Sequence, residues 1–195
     1  MMRKTFVFIV FVAFSLAAFA QTSSGVWNSK TATYTNTTHK ITWQLIEDVE
    51  WVGRPIIGEG TLLKVRNDDT QILVKLGATK ADPGDEDAWD YVQWYESPEF
   101  EEFPKQQAAY FGMEYLGTKA IKSQLCGIHA VKTRTDMKKY YPEYKQTVHS
   151  IEISYSLYRN GYIYTVTVTA LSVLEEEIAD FERIATLIFN GFKIN

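Results

Sequence analysis

Ile151-Glu152-Ile153-Ser154-Tyr155-Ser156-Leu157-Tyr158-Arg159-Asn160-Gly161-Tyr162-Ile163-Tyr164-Thr165-Val166-Thr167-Val168-Thr169-Ala170 is two alternating runs on either side of Asn160-Gly161. Asn-Gly is the favoured pair for a two-residue type I′ turn, because both central positions need a positive φ. Folding about that turn sets Leu157 opposite Tyr164, Tyr155 opposite Val166, Ile153 opposite Val168 and Ile151 opposite Ala170. The other face then pairs Ser156 with Thr165, Ser154 with Thr167 and Glu152 with Thr169. One face is apolar and the other polar. That contrast pins the register, since a slip of one residue would exchange the faces. The stretch predicts a long antiparallel hairpin whose apolar face needs a cover.

The cover lies immediately downstream. Leu174, Ile178, Phe181, Ala185 and Ile188 fall on one helical stripe, the pattern of a helix with a single buried face. Glu175, Glu176 and Glu177 crowd its first turn, and Ser172 and Glu175 stand at capping-box spacing. Gly191 is read as the residue that ends the helix.

Upstream, Ile41, Trp43 and Leu45 alternate with polar neighbours and predict a half-buried strand over 39–45. Residues 61–77 read as a hairpin about Asn67-Asp68-Asp69-Thr70, which sets Val65 opposite Ile72 and Leu63 opposite Val74. Residues 78–104 predict a short helix capped by Asp85 or Asp87, running through Tyr95 and ending at Ser97-Pro98. A second helix is expected from near Pro104 to Gly117, then a strand from Gly127 to Met137. The fold class is therefore α+β, an antiparallel β-sheet covered by α-helices as an α/β/α sandwich.

The chain has 195 residues, of which the first 20 read as a cleavable export signal. Met1-Met2-Arg3-Lys4 is basic, Phe6 to Leu16 is apolar, and Ala18-Phe19-Ala20 supplies the small residues before Gln21. Residues 21–33 are expected to be a flexible lead-in and 34–195 a single domain. Removing Arg3 and Lys4 leaves 18 bases against 24 acids, a formal net charge of −6. Such a field does not favour nucleic acid. After the signal no apolar run reaches the ~18–20 residues that span a bilayer. The expected location is secreted or periplasmic.

In this order the elements resemble a known family. An early Tyr34 … Ile41-Thr42-Trp43 strand precedes the hairpin ending Tyr162-Ile163-Tyr164-Thr165-Val166. A final helix follows, Phe181-Glu182-Arg183-Ile184-Ala185 running into Phe189-Asn190-Gly191-Phe192. The pattern is similar to the PsbP-like fold, shared by the extrinsic protein of photosystem II, the Ran-binding Mog protein and many exported bacterial proteins. The resemblance covers roughly residues 30–195. It implies an antiparallel sheet sandwiched by helices, and binding or assembly roles. It carries over no catalytic residue.

The residues themselves point the same way on catalysis. Cys126 and His129 lie three apart, which on a strand puts their side chains on opposite faces. His39, His129 and His149 have no metal-binding spacing, and there is no phosphate-binding loop or nucleophile elbow. The chain is read as a non-enzyme with no cofactor and no metal.

One segment departs from the rest. Residues 82–103 hold nine acids, and there is no base between Lys80 and Lys105, which leaves 15 acids and 18 bases elsewhere in the mature chain. Trp89, Trp94 and four other aromatics are interleaved. Trp faces beside carboxylates can stack on sugar rings, clustered carboxylates can hold calcium, and an acidic aromatic surface can dock a basic protein. An acidic solvated loop whose aromatics cap the sheet has the same composition. The candidate binding residues are Trp89, Trp94, Asp85, Asp87 and Asp90. The expected partner is a protein or, alternatively, a small ligand such as a saccharide.

Overall fold

The computed structural model describes residues 25–55, 60–82, 84 and 87–195. The expected signal, residues 1–20, lies outside them, as does Asp85. The hairpin read from residues 151–170 is β9 (Gln146–Arg159) and β10 (Tyr162–Val173), and every pair stands in the expected register. Asn160 and Gly161 have φ of 52° and 77°, as the type I′ turn requires.

That hairpin is the centre of a seven-stranded antiparallel sheet. On one side of it lie β4 (Val52–Pro55), β5 (Thr61–Asn67) and β6 (Ile72–Lys80), and on the other β7 (Glu114–Leu125) and β8 (Ile128–Tyr141). The order is β4-β5-β6-β10-β9-β8-β7. A smaller sheet orders β1 (Gly25–Asn28), β2 (Thr33–Asn36), β3 (Ile41–Gln44) and β11 (Phe192–Ile194) as β1-β2-β3-β11. β1 thus lies inside the stretch expected as a lead-in. The architecture is α+β and predominantly strand.

Among the described residues three helical segments complete it. A 3₁₀ turn, Ala88–Tyr91, runs into one α-helical turn, Val92–Tyr95, and together these are α1. α2 is Pro98–Tyr110, and α3 is Ile178–Asn190, entered through a 3₁₀ turn at Glu175–Glu177. α3 buries Phe181, Ala185, Ile188 and Phe189 in the main core with Ile153, Val166 and Val168 of the hairpin and Trp43 and Phe192 of the small sheet. The Trp43 indole Nε1 donates to the Ile188 carbonyl at 2.8 Å. This satisfies one of the carbonyls that a helix C-terminus leaves without an intrahelical partner. α1 lies on the opposite face, where Ala88 packs with Ala120 and Val131 and Tyr95 reaches Ser156.

Several local expectations are corrected. In the first hairpin Val65 faces Val74 and Leu63 faces Leu76, two residues from the expected register. Gln71 takes φ 54° and joins the loop, while Asn67 stays in the strand and its side chain accepts from the Thr70 N–H at 2.7 Å. The shift is even, so the buried face is unchanged.

α2 starts at Pro98 instead of Pro104, because Ser97 both ends α1 and caps α2 by accepting from the Phe100 N–H at 3.2 Å. It stops at Tyr110, well before Gly117. Gly112, at φ 62°, closes it with bonds from Gly112 N to Ala109 O and from Met113 N to Ala108 O, the Schellman pattern. Strand β7 then starts at Glu114, inside the stretch expected to be helical up to Gly117, and β8 runs on to Tyr141.

The box at the last helix forms two residues later than expected: Leu174 N donates to the Glu177 carboxylate at 3.0 Å. Gly191 is not left-handed, with φ −78°. A Cβ there would sit 1.8 Å from the Gln44 carbonyl, so the glycine lets β3 and the end of α3 come together.

Candidate functional site

Asp87 leads the acidic segment into α1. Its Oδ1 accepts from the Trp89 N–H at 3.0 Å and caps α1. Its Oδ2 lies 2.8 Å from His129 Nδ1 on β8. The Trp89 N–H, and after it His129, hold the Asp87 carboxyl below the ordinary carboxylate range.

Trp89 is committed to the same junction. Its ring stacks on His129 with centroids 3.5 Å apart and planes 7° from parallel. Its Nε1 donates to the Ser123 carbonyl of β7 at 2.9 Å, and Lys122 Nζ is 5.4 Å from the ring centroid. Asp87, Trp89 and His129 therefore form one cluster that fastens α1 to the β7–β8 pair. The role of His129 was hidden in the sequence, because the two members of the contact are 42 positions apart.

Trp94 serves a different neighbourhood. Its side chain is exposed, at 45%, and packs edge-on against Tyr95 at 5.0 Å and Phe100 at 5.1 Å. Tyr95 turns inward and donates its hydroxyl to Ser156 Oγ at 2.8 Å; burial raises its pKa, opposed by that bond. Trp94, Tyr91 and Tyr95 face Tyr158 and Ile163 of the hairpin tip across a cavity of about 250 Å³, with Asp82 also on its wall.

The other acids of the segment differ in what they do. Glu96 Oε1 accepts from the Ala120 N–H of the edge strand at 3.2 Å. Glu101 pairs with Lys105 at 2.8 Å across one helical turn, and Glu102 accepts from Gln106. Asp90 and Glu99 are exposed. Of the expected site residues, Asp87 and Trp89 are brought together, Asp90 lies four positions before Trp94, and Trp94 opens to the cavity.

Cys126 and His129 are held apart, the thiol bonded to the Phe192 carbonyl and the imidazole to Asp87. Among the described residues no three His, Cys, Asp or Glu side chains converge in a way that could hold a metal ion. Nor is any described helix long and apolar enough to cross a membrane.

No family model matches the chain, and no curated protein matches it. Several solved structures are similar to it at low identity. The cyanobacterial PsbP of Synechocystis is 12% identical with a TM-score of 0.48, over 90% of this chain and 99% of that one. LpqN of Mycobacterium tuberculosis, involved in cell envelope biogenesis, is 14% identical with a TM-score of 0.48, over 80% and 83% of the two chains. The Ran-binding protein Mog1p of Saccharomyces cerevisiae is 8% identical with a TM-score of 0.44, over 87% and 96%. The likeness is one of fold. PsbP and Mog1p both belong to the group named in the resemblance read from the sequence.

Proposed function

We propose that the protein is an exported binding module without catalytic activity, which docks a basic protein segment at the cavity beside Trp94. The observation that carries the reading is the composition of that cavity. Tyr91, Trp94, Tyr95 and Tyr158 line it, and Asp82 stands on its wall. A lysine or arginine side chain fits such a place, because aromatic faces attract a cation by about 0.5–2 kcal/mol, more as water is excluded. Base-free sequence from residue 81 to 104 supplies the long-range attraction. Asp87 and Trp89 contribute by holding α1 in position. Export is supported by the basic, apolar and small-residue pattern of residues 1–20.

The test uses the mature protein, an oligoarginine peptide and cellohexaose as probes, with the heat of binding in titration calorimetry as the signal. The peptide should bind, its affinity should fall as salt is raised through the range where charges are screened over ~8–10 Å, and Trp94→Ala should abolish the response. Salt-insensitive binding of cellohexaose, lost in the same variant, would establish the saccharide reading instead. Response to neither probe overturns both. Intact mass of the exported protein should correspond to a chain starting at Gln21; a chain starting at Met1 overturns the export reading.

A further inference from the structure

The opposite face of the central sheet carries a second cavity, of about 480 Å³, between α3 and the β7–β8 end of the sheet. Its origin is geometric. α3 covers the hairpin β9–β10 but leaves β8 beside it uncovered, so the sequence of β8 changes on this face. Ala130, opposite Leu157, is buried; Lys132 and Arg134, opposite Tyr155 and Ile153, are only half-buried. The trough therefore has an aromatic floor and a basic rim.

The charges on that rim do not cancel. Arg134 is held by Asp136 through Nε and by Glu182 of α3 through Nη1, so this cation and the one carboxylate on the wall satisfy each other. Lys132 extends over the Tyr155 ring, 5.8 Å from its centroid, and that ring meets Phe189 edge-on at 4.7 Å. Lys193 of β11 stands at the far end beside Cys126. Neither Lys132 nor Lys193 has a carboxylate within ion-pair distance among the described residues. Two ammonium groups without an ion-pair partner thus flank a trough that is floored by Tyr155 and Phe189 and otherwise lined mostly by polar side chains, in a chain that is acidic as a whole.

We infer that this trough is a binding site for a small organic anion with an apolar body. The anionic group would pair with Lys132 or Lys193, because charge-assisted hydrogen bonds are roughly twice as strong as neutral ones. The body would lie on Tyr155 and Phe189. The volume falls in the range of about 300–1,000 Å³ usual for small-molecule sites. Nothing in this inference depends on the Trp94 cavity, which opens on the other face.

The chain's single cysteine makes placement measurable. Cys126 lines the trough, so a bound ligand should shield its thiol from iodoacetamide. The probe is 8-anilinonaphthalene-1-sulfonate, an aromatic body with one anionic group. N-phenyl-1-naphthylamine, the same body without the charge, is the control.

The sulfonate should bind saturably and slow Cys126 alkylation over the same concentration range. Lys132→Gln/Lys193→Gln should weaken both readouts by about tenfold, the size expected when both of these partly exposed charge contacts are removed. Thr186→Trp, which fills the trough from an exposed helix position and keeps both lysines, should abolish both. Thermal melts of each variant at unchanged midpoint exclude unfolding as the cause. Fluorescence without protection of Cys126, equal binding of the neutral dye, or undiminished binding by the double variant each overturns the inference.

Discussion

The two faces of the β9–β10 hairpin are sealed to the same degree by opposite chemistry. On the face under α3, Ile151, Ile153, Leu157, Val166 and Val168 are at most 5% exposed and all apolar. On the face towards α1, Ser154, Ser156, Thr167 and Thr169 are 4–6% exposed and all carry hydroxyls. Alternation in the sequence separates the faces but does not say that the polar one is open to water. The hydroxyls tolerate burial because they find partners: Ser154 with Thr167 at 2.9 Å, Ser156 with Tyr95 at 2.8 Å, Thr169 with Glu152 at 3.3 Å. A buried hydroxyl without such a bond would be strongly penalised.

Substituting a charge into adjacent positions gives the largest expected contrast. Val166→Asp should destabilise by about 4 kcal/mol or more, because the carboxylate enters an apolar core with no partner. Thr167→Asp should cost about 1–3 kcal/mol, since it breaks one buried hydroxyl pair beside groups that can still donate to it. Urea unfolding midpoints at unchanged slope measure both. Equal effects would mean that the two faces differ less in environment than their side chains suggest.

A smaller effect isolates the hydroxyl pair itself. Thr167→Val keeps the shape but leaves Ser154 Oγ without its partner, and should cost about 1–2 kcal/mol. The double change Ser154→Ala/Thr167→Val should recover most of that loss, because no polar group remains unsatisfied. A double variant as unstable as the sum of the two single variants would place the cost in packing instead.

The same contrast marks what was legible in the sequence. The hairpin register could be read in full, because Asn160-Gly161 fixes the turn and each cross-strand pair repeats the same polarity. The first hairpin was read with the correct face and the wrong turn, since an even shift leaves the alternation intact and only the left-handed Gln71 reveals that the four-residue loop sits one position later. Gly191 was recognised as important for a reason the sequence could not supply, its close approach to Gln44. β7 was missed because its burial is broken by exposed Lys119, Ile121 and Lys122, as befits an edge strand. At the candidate site, Asp87 was legible as a helix cap, but its contact with His129 and the opening of the cavity at Trp94 depend on pairings across the whole sheet.

Trp94 against Trp89 carries the comparison onto the acidic segment. Trp94→Ala should cost about 1 kcal/mol, the scale of aromatic pair contacts without deep burial. Trp89→Ala should cost more, because it removes a stacked partner and a hydrogen bond to Ser123. Of the five tryptophans, Trp43 and Trp51 are buried, and Trp94 alone is exposed at its side chain among the described residues. Trp94→Ala should therefore remove the largest part of acrylamide-quenchable emission. Quenching that survives it would place the accessible tryptophan elsewhere and remove the basis for docking at this cavity.

The smallest expected effect concerns Asp87, whose side chain is partly exposed. Its carboxyl is depressed first by the Trp89 N–H and then by His129, so the ionised form is favoured in the folded protein. A carboxyl with a lowered folded-state pKa contributes stability above its unfolded value of about 3.9 and loses it as the pH falls through the folded value. Asp87→Asn keeps an oxygen that can accept the Trp89 N–H, so what it removes is the charge. The melting temperatures of parent and variant should differ at neutral pH and converge from about pH 4 downward. A gap that persists unchanged to about pH 2 would mean that the cap depends on geometry alone, and that the charge of Asp87 contributes nothing to holding α1 against the sheet.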